Sequence, residues 1–140
     1  MERLLSEEFV KNRVIEWLGR KGYRVISVKG LAEHGLDIKA KRLQTNYYYA
    51  IEAKGDPLVN PSKMRYPFLV SALGEIIQRV TKAKYCRYAI ALPSSYEELV
   101  KRRVPSMAAK RLDLEFLFVS SMGDIKRLTW KDLFGLSHSC

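Results

Sequence analysis

Histidine and cysteine are scarce in this chain, two of each among 140 residues, and that scarcity narrows the chemistry. Cys86 and Cys140 lie too far apart in sequence to form a metal-binding motif. Cys86 sits in an apolar run and reads as a small buried hydrophobe, whereas Cys140 is the final residue and is expected at the surface. His34 falls in a glycine-bounded loop, where a solvated side chain is a simpler account than a ligand or a base. Apolar residues never run unbroken for the roughly 18 positions that a membrane span needs. The first helix is charged from Glu2 and Arg3 onward, unlike a secretory leader, so no membrane contact and a cytoplasmic location are expected. No glycine-rich phosphate loop or nucleotide motif is present, nor any repeat, low-complexity segment or linker. Acid is also short: 15 Asp and Glu against 25 Lys and Arg leave a net charge of +10. Such an excess gives affinity for nucleic acid or another anionic surface, although a Lys/Arg-rich solvated surface produces the same count.

The remaining composition, 47% hydrophobic and 29% charged, is that of an ordinary globular protein, and the length suits a single domain spanning 1–140. Val10, Val14, Trp17 and Leu18 make one apolar stripe on a helix within residues 4–20. Ser6 is placed to cap it near residue 7, with Glu7 and Glu8 in the first turn. Residues 23–28 read as a strand, 36–43 as a second and 46–54 as a third. The stretch from Gly55 to Pro67 reads as a loop. Leu69, Leu73, Ile76, Ile77 and Val80 mark a helix over 68–82. Residues 85–92 are nearly all apolar and end at Pro93, as a buried central strand would. A third helix follows Ser94 or Ser95 and is interrupted at Pro105; strands over 112–119 and 125–130 and a weakly helical tail complete the chain. The order α-β-β-β-α-β-α-β-β predicts an α/β fold with a mixed central β-sheet flanked by helices.

Within this order, Asp37 opens the second strand, and Glu52 and Lys54 close the third. Side chains alternate along a strand, so Glu52 and Lys54 share a face. A four-residue turn at Leu43-Gln44-Thr45-Asn46 places Asp37 directly opposite Glu52, with Cβ atoms roughly 4.5–5.5 Å apart. A slip of one residue would send the two groups to opposite faces. Two carboxylates at that distance repel unless a cation joins them or one is protonated. A hard divalent ion, Mg²⁺ or Mn²⁺, suits the oxygen pair. Tyr47, Tyr49, Ile51 and Ala53 form the opposite face of the third strand and are expected to pack on helices, leaving the acidic face to open on a cleft. The competing account is a solvated hairpin face of mixed charge.

Asp37 in Gly35-Leu36-Asp37-Ile38, with Glu52-Ala53-Lys54 ending an apolar strand, resembles the PD-(D/E)XK nuclease superfamily, the restriction-endonuclease-like and Holliday-junction-resolvase-like proteins. The resemblance runs from about Glu7 to Val119. It departs from the family pattern in having no proline before Asp37. It implies a restriction-endonuclease-like fold and a Mg²⁺-dependent nuclease hydrolysing DNA phosphodiester bonds. Asp37 and Glu52 would hold the metal together with the main-chain carbonyl of Ala53, and Lys54 would act on the attacking water or on the phosphate charge. Glu7, with Glu8 as the alternative, would join from the first helix, and Gln78 from the helix after the third strand. Lys39, Lys41, Lys63, Arg65 and Tyr66 are candidates for backbone contact with nucleic acid, most simply DNA. Lys101, Arg102 and Arg103 read as a solvated helix face. No sequence-reading module is visible, which favours structure-selective or partner-directed cutting. A homodimer, for which Tyr66-Pro67-Phe68 offers a surface, is consistent with cutting two strands with one site per chain. The alternative reading is a non-catalytic nucleic-acid-binding relative of the same fold.

Overall fold

The computed structural model describes residues 3–29, 36–80 and 86–134. His34, Gly35 and Cys140 lie outside the described residues. Helix α1 (Glu7–Arg20) begins where Ser6 predicts, with the Ser6 hydroxyl accepting from the Phe9 N–H at 3.0 Å. A cap of this kind is worth about 1 kcal/mol. Strands β1 (Tyr23–Val28), β2 (Ile38–Arg42) and β3 (Tyr48–Ala53) form an antiparallel meander, and β4 (Cys86–Pro93) and β5 (Leu114–Val119) continue it in parallel. The antiparallel β6 (Ile125–Leu128) closes a six-stranded sheet in the order β1-β2-β3-β4-β5-β6. This is the expected α/β architecture, an open mixed sheet with helices on both faces.

The sheet separates two cores. On one face, Val10, Val14 and Leu18 of α1 pack on Ile38, Ala40, Tyr49, Ile51 and Ala53, and on Ala89 and Ala91 of β4. Alanine at those two β4 positions lets the helix lie close. On the other face, Leu69, Ala72 and Ile76 of α2 (Pro61–Arg79) cover Ala50, Tyr88, Ile90 and Leu92. Each large apolar side chain buried this way contributes about 1.5–3 kcal/mol. Because β4 lies between β3 and β5 under both layers, it shows an apolar run and no alternation. Helices α3 (Glu97–Arg103) and α4 (Ser106–Leu112) are separated at Val104-Pro105, as Pro105 predicts, and α5 (Trp130–Leu133) ends the described chain.

Helix α2 starts earlier than the sequence suggests. Residues 61–67, read as part of a loop, are its first two turns. Asn60 takes a left-handed conformation, φ 48°, and delivers the chain to Pro61, whose fixed φ suits the first helical position. Pro67 interrupts the hydrogen-bond ladder but is exposed, and the buried stripe that follows it holds the helix. Lys63, Arg65 and Tyr66 therefore project from a helix. Ile77, expected in the buried stripe, is 60% exposed. The serines expected to cap the third helix form a short 3₁₀ turn, Ser94–Tyr96, and Ser95 bonds elsewhere.

Candidate functional site

The β2–β3 ladder pairs Ile38 with Ile51, Lys39 with Ala50, Ala40 with Tyr49 and Lys41 with Tyr48. The Arg42 N–H reaches the Tyr47 carbonyl at 2.9 Å, so the turn is the four residues Leu43 to Asn46. Gln44 relieves it with a φ of 63°. One step further, the same register sets Asp37 across from Glu52. Asp37 Oδ2 accepts the Ala53 N–H at 2.8 Å. In a strand the N–H and C=O of one residue point to the same side, so the Ala53 carbonyl faces the side that Asp37 occupies.

Both acids are buried, at 4% exposure each, where an open cleft face was expected. The two acids have unlike surroundings. Burial first, and then the charge and hydrogen-bonding proximity of Asp37, push the Glu52 pKa up to about 8, against the pull of Lys54 and Lys29. Glu52 Oε1 is buried without a hydrogen-bond partner among the described residues. Asp37 is compensated by cations. Lys11 Nζ lies 3.3 Å from its Oδ1 and Lys29 Nζ 3.9 Å. Burial works to lower the Lys11 pKa, but the charges of Asp37 and Glu7 outweigh it and raise it.

Glu7 does come to this end of the sheet, yet its carboxylate turns to Lys11, with Oε2 3.3 Å from Nζ. Lys11 thus stands between Glu7 and Asp37. Among the described residues, no group of three His, Cys, Asp or Glu side chains is placed to hold one ion, so Glu7 does not complete an all-side-chain ligand set. Glu8 is exposed. Gln78 is not brought to the acids. It lies in the last turn of α2, exposed, with its amide oxygen 3.4 Å from Arg79 Nη1. The buried stripe of α2 runs through Leu69, Ala72 and Ile76, which turns position 78 away from the sheet. Lys54 is partly exposed and its N–H donates to the Ala91 carbonyl at 3.0 Å.

The segment following Lys54 locks this arrangement. A Cβ on Gly55 would stand 2.4 Å from the Glu7 backbone nitrogen, so only glycine lets the start of α1 sit here. Asp56 is buried and accepts from the Leu5 N–H at 2.9 Å, from Ser95 Oγ at 2.6 Å and from Arg65 Nε at 3.1 Å. The Tyr96 hydroxyl donates to the Gly55 carbonyl at 3.0 Å. Arg65 is therefore committed to the Asp56 ion pair rather than presented outward. Lys39, Lys63 and Tyr66 are exposed and Lys41 partly so. Lys39 lies over the Tyr48 ring at 4.9 Å, and Arg103 over the Tyr66 ring at 4.9 Å, which gives one member of the 101–103 cluster a partner across the fold.

Sequence reasoning missed Lys11, Lys29 and Asp56. The Glu7-x-x-x-Lys11 spacing was a readable i,i+4 pair. Asp56 lay in Gly55-Asp56-Pro57, which looked like a strand terminator and nothing more.

No model of a known protein family matches the chain, and no curated protein does. Two solved structures share its fold. One is an XisH family protein from Nostoc punctiforme PCC 73102, with a TM-score of 0.57 and 14% identity, covering 86% of this chain and 98% of that one. The other is an FdxN element excision controlling factor protein from Anabaena variabilis, with a TM-score of 0.60 and 13% identity, covering 87% and 98%. The likeness extends over nearly the whole of both neighbours and is one of fold. No helix among the described residues is long and apolar enough to cross a membrane.

Proposed function

We propose that this protein is a Mg²⁺-dependent nuclease that hydrolyses phosphodiester bonds in DNA, built around Asp37, Glu52 and Lys54. The observation that carries the reading is the pairing of two buried carboxyls, one of which keeps an unpartnered oxygen and an upshifted pKa. A buried, unsatisfied carboxyl is costly, and a hard divalent cation would remove that cost by replacing the proton. The donor set fits such an ion, since Asp37, Glu52 and the Ala53 carbonyl supply only oxygen. When bound, the ion would supply charge relief on the phosphate and a water of lowered pKa. Lys54, one pleat beyond Glu52, would orient the attacking water or balance the negative charge that develops on the phosphate. Lys11 and Lys29 place two ammonium groups beside Asp37. Mn²⁺ would serve the same ligands. Lys39, Lys41, Lys63 and Tyr66 would give contact with the DNA backbone without base readout.

The neighbour described as controlling excision of an element lends support, because excision breaks and remakes phosphodiester bonds. A second reading, a non-catalytic nucleic-acid-binding relative, is favoured by the two ammonium groups within 4 Å of Asp37 Oδ1, which already neutralise the acid. A cleavage assay separates the two. Purified protein is tested on labelled duplex, single-stranded and branched DNA with Mg²⁺, Mn²⁺ or EDTA, beside Glu52→Gln. Metal-dependent cutting lost in the variant supports the nuclease. Salt-sensitive binding without cutting on any substrate supports the binding protein.

A further inference from the structure

The N-terminal ends of the parallel strands, on the face covered by α1, carry a second concentration of charge. Arg42 ends β2, Arg87 opens β4, Arg127 lies on β6, and Lys21 follows the last turn of α1. These four cations line one cavity of about 330 Å³, with Trp17 and Tyr23 beside them. A second cavity, of about 310 Å³, shares Arg87 and Arg127 and adds Lys131 together with the carboxylates of Asp113 and Glu115. Volumes of this size suit a small ligand.

Two residues that line the first cavity, Tyr49 and Arg127, are held from behind by Glu115. Glu115 is buried, and its carboxylate takes Arg127 Nε at 2.9 Å and Nη2 at 2.7 Å, together with the Tyr49 hydroxyl. Burial, and then the Glu115 charge, raise the Tyr49 pKa well above its ordinary value, which keeps that hydroxyl a donor. Arg127 is thereby fixed, with N–H groups left over from its fork of five. Arg87 is held over the Tyr47 ring at 5.5 Å. Lys21 lies over the Trp17 ring at 6.0 Å. Neither Lys21 nor Arg42 has a carboxylate partner among the described residues. Among the described residues, Glu115 is the one carboxylate hydrogen-bonded to any of the four, with Asp113 acting on Arg87 through its charge, so the first cavity keeps a positive excess that an incoming anion would offset.

We infer that this cavity is a binding site for the phosphate of a nucleotide, either free or within a nucleic-acid strand. Two fixed guanidinium forks suit the planar, bidentate recognition of phosphate oxygens. Trp17 and Tyr23, partly buried against the core, leave ring edges at the cavity wall beside which a base would lie. The site is independent of the nuclease reading: Glu52 and Lys54 lie at the other end of β3, with Glu52 on the opposite face of the sheet.

The test is isothermal titration at low salt with EDTA present, using the full chain. The probes are adenosine monophosphate, inorganic pyrophosphate and a short single-stranded oligonucleotide. Wild type is compared with Lys21→Ala/Arg42→Ala and with Glu52→Gln. Both positions of the double variant are exposed, and a circular dichroism spectrum verifies that it folds. Saturable binding that the double variant weakens by roughly tenfold or more, and that Glu52→Gln leaves unchanged, supports the site. Binding of the mononucleotide identifies a free nucleotide as the source; binding of the oligonucleotide alone identifies a strand. Equal binding by wild type and the double variant, or no binding of any probe by wild type, overturns the proposal. Loss of cutting in Glu52→Gln with this binding intact, or the reverse, shows that the two sites fail separately.

Discussion

A carboxyl that ordinarily loses its proton near pH 4.5 but in this fold keeps it to about pH 8 makes stability depend on pH. Between those values the unfolded chain has released the Glu52 proton and the folded chain still binds it, so folding is increasingly opposed as pH rises through the window. Its contribution is therefore complete below about pH 4.5 and gone above about pH 8. Without metal, the melting temperature is expected to fall by several degrees more in wild type than in Glu52→Gln between about pH 5 and pH 8. Added Mg²⁺ should reverse the order at the upper end, because it binds the ionised acid. Parallel melting curves for the two proteins across that range would remove the assignment. Lys11 belongs to the same balance. Its ammonium competes with any cation for Asp37 Oδ1, so Lys11→Met should tighten Mn²⁺ binding by about tenfold, measured by titration calorimetry. Weaker binding would mean that Lys11 organises Asp37 and does not compete for it. Gln78, exposed on the last turn of α2, is a control at this scale: Gln78→Ala should leave any cutting rate unchanged.

At the scale of elements, two positions control how α1 and α2 meet the sheet. Gly55→Ala forces a Cβ against the Glu7 backbone nitrogen. Because the obstacle is main chain, α1 has to move, and both stability and cutting should fall together. Asp56→Ala leaves the buried Leu5 N–H and Arg65 without their acceptor. Loss of one partner from a buried pair costs roughly 3–5 kcal/mol, which chemical denaturation would register directly. Pro67→Ala acts in the opposite sense. It returns an N–H to an exposed helix position and should stabilise the protein by up to about 3 kcal/mol. These positions also mark where the sequence was readable. The β2–β3 register followed from a turn of known length and from alternation, both local properties, so Asp37 could be set against Glu52 without coordinates. The start of α2 was not readable because a proline at position 67 outweighs the helical pattern around it until the packing of Leu69, Ala72 and Ile76 is known. The burial of the acid pair and the role of Asp56 depend on α1 and Ser95, which are distant in sequence.

For the molecule as a whole, the net charge of +10 is spread over both faces of the sheet. Lys39 and Lys41 lie on the face of β2 turned away from α1, and Lys63 on α2, whereas Lys21, Arg42, Arg87 and Arg127 line the cavity on the α1 face. Binding of DNA through several of these contacts should weaken steeply with salt, the logarithm of the affinity falling by about 0.9 for each phosphate contact per tenfold increase in salt. Removing Lys21 and Arg42 should make that slope shallower by up to about two contacts, as measured by fluorescence anisotropy. The clasp at Asp56 has a different kind of consequence. It joins residue 5, residue 56 and residue 95, while Glu52 is walled in by its neighbour Ile90 on β4. A nascent chain that has emerged from the ribosome only as far as residue 80 already contains Asp37, Glu52 and Lys54 but lacks the wall and the Ser95 part of the clasp. The acid pair is not enclosed until about two thirds of the protein has been made, so a fragment that ends early carries the two carboxyls without the burial that shifts Glu52.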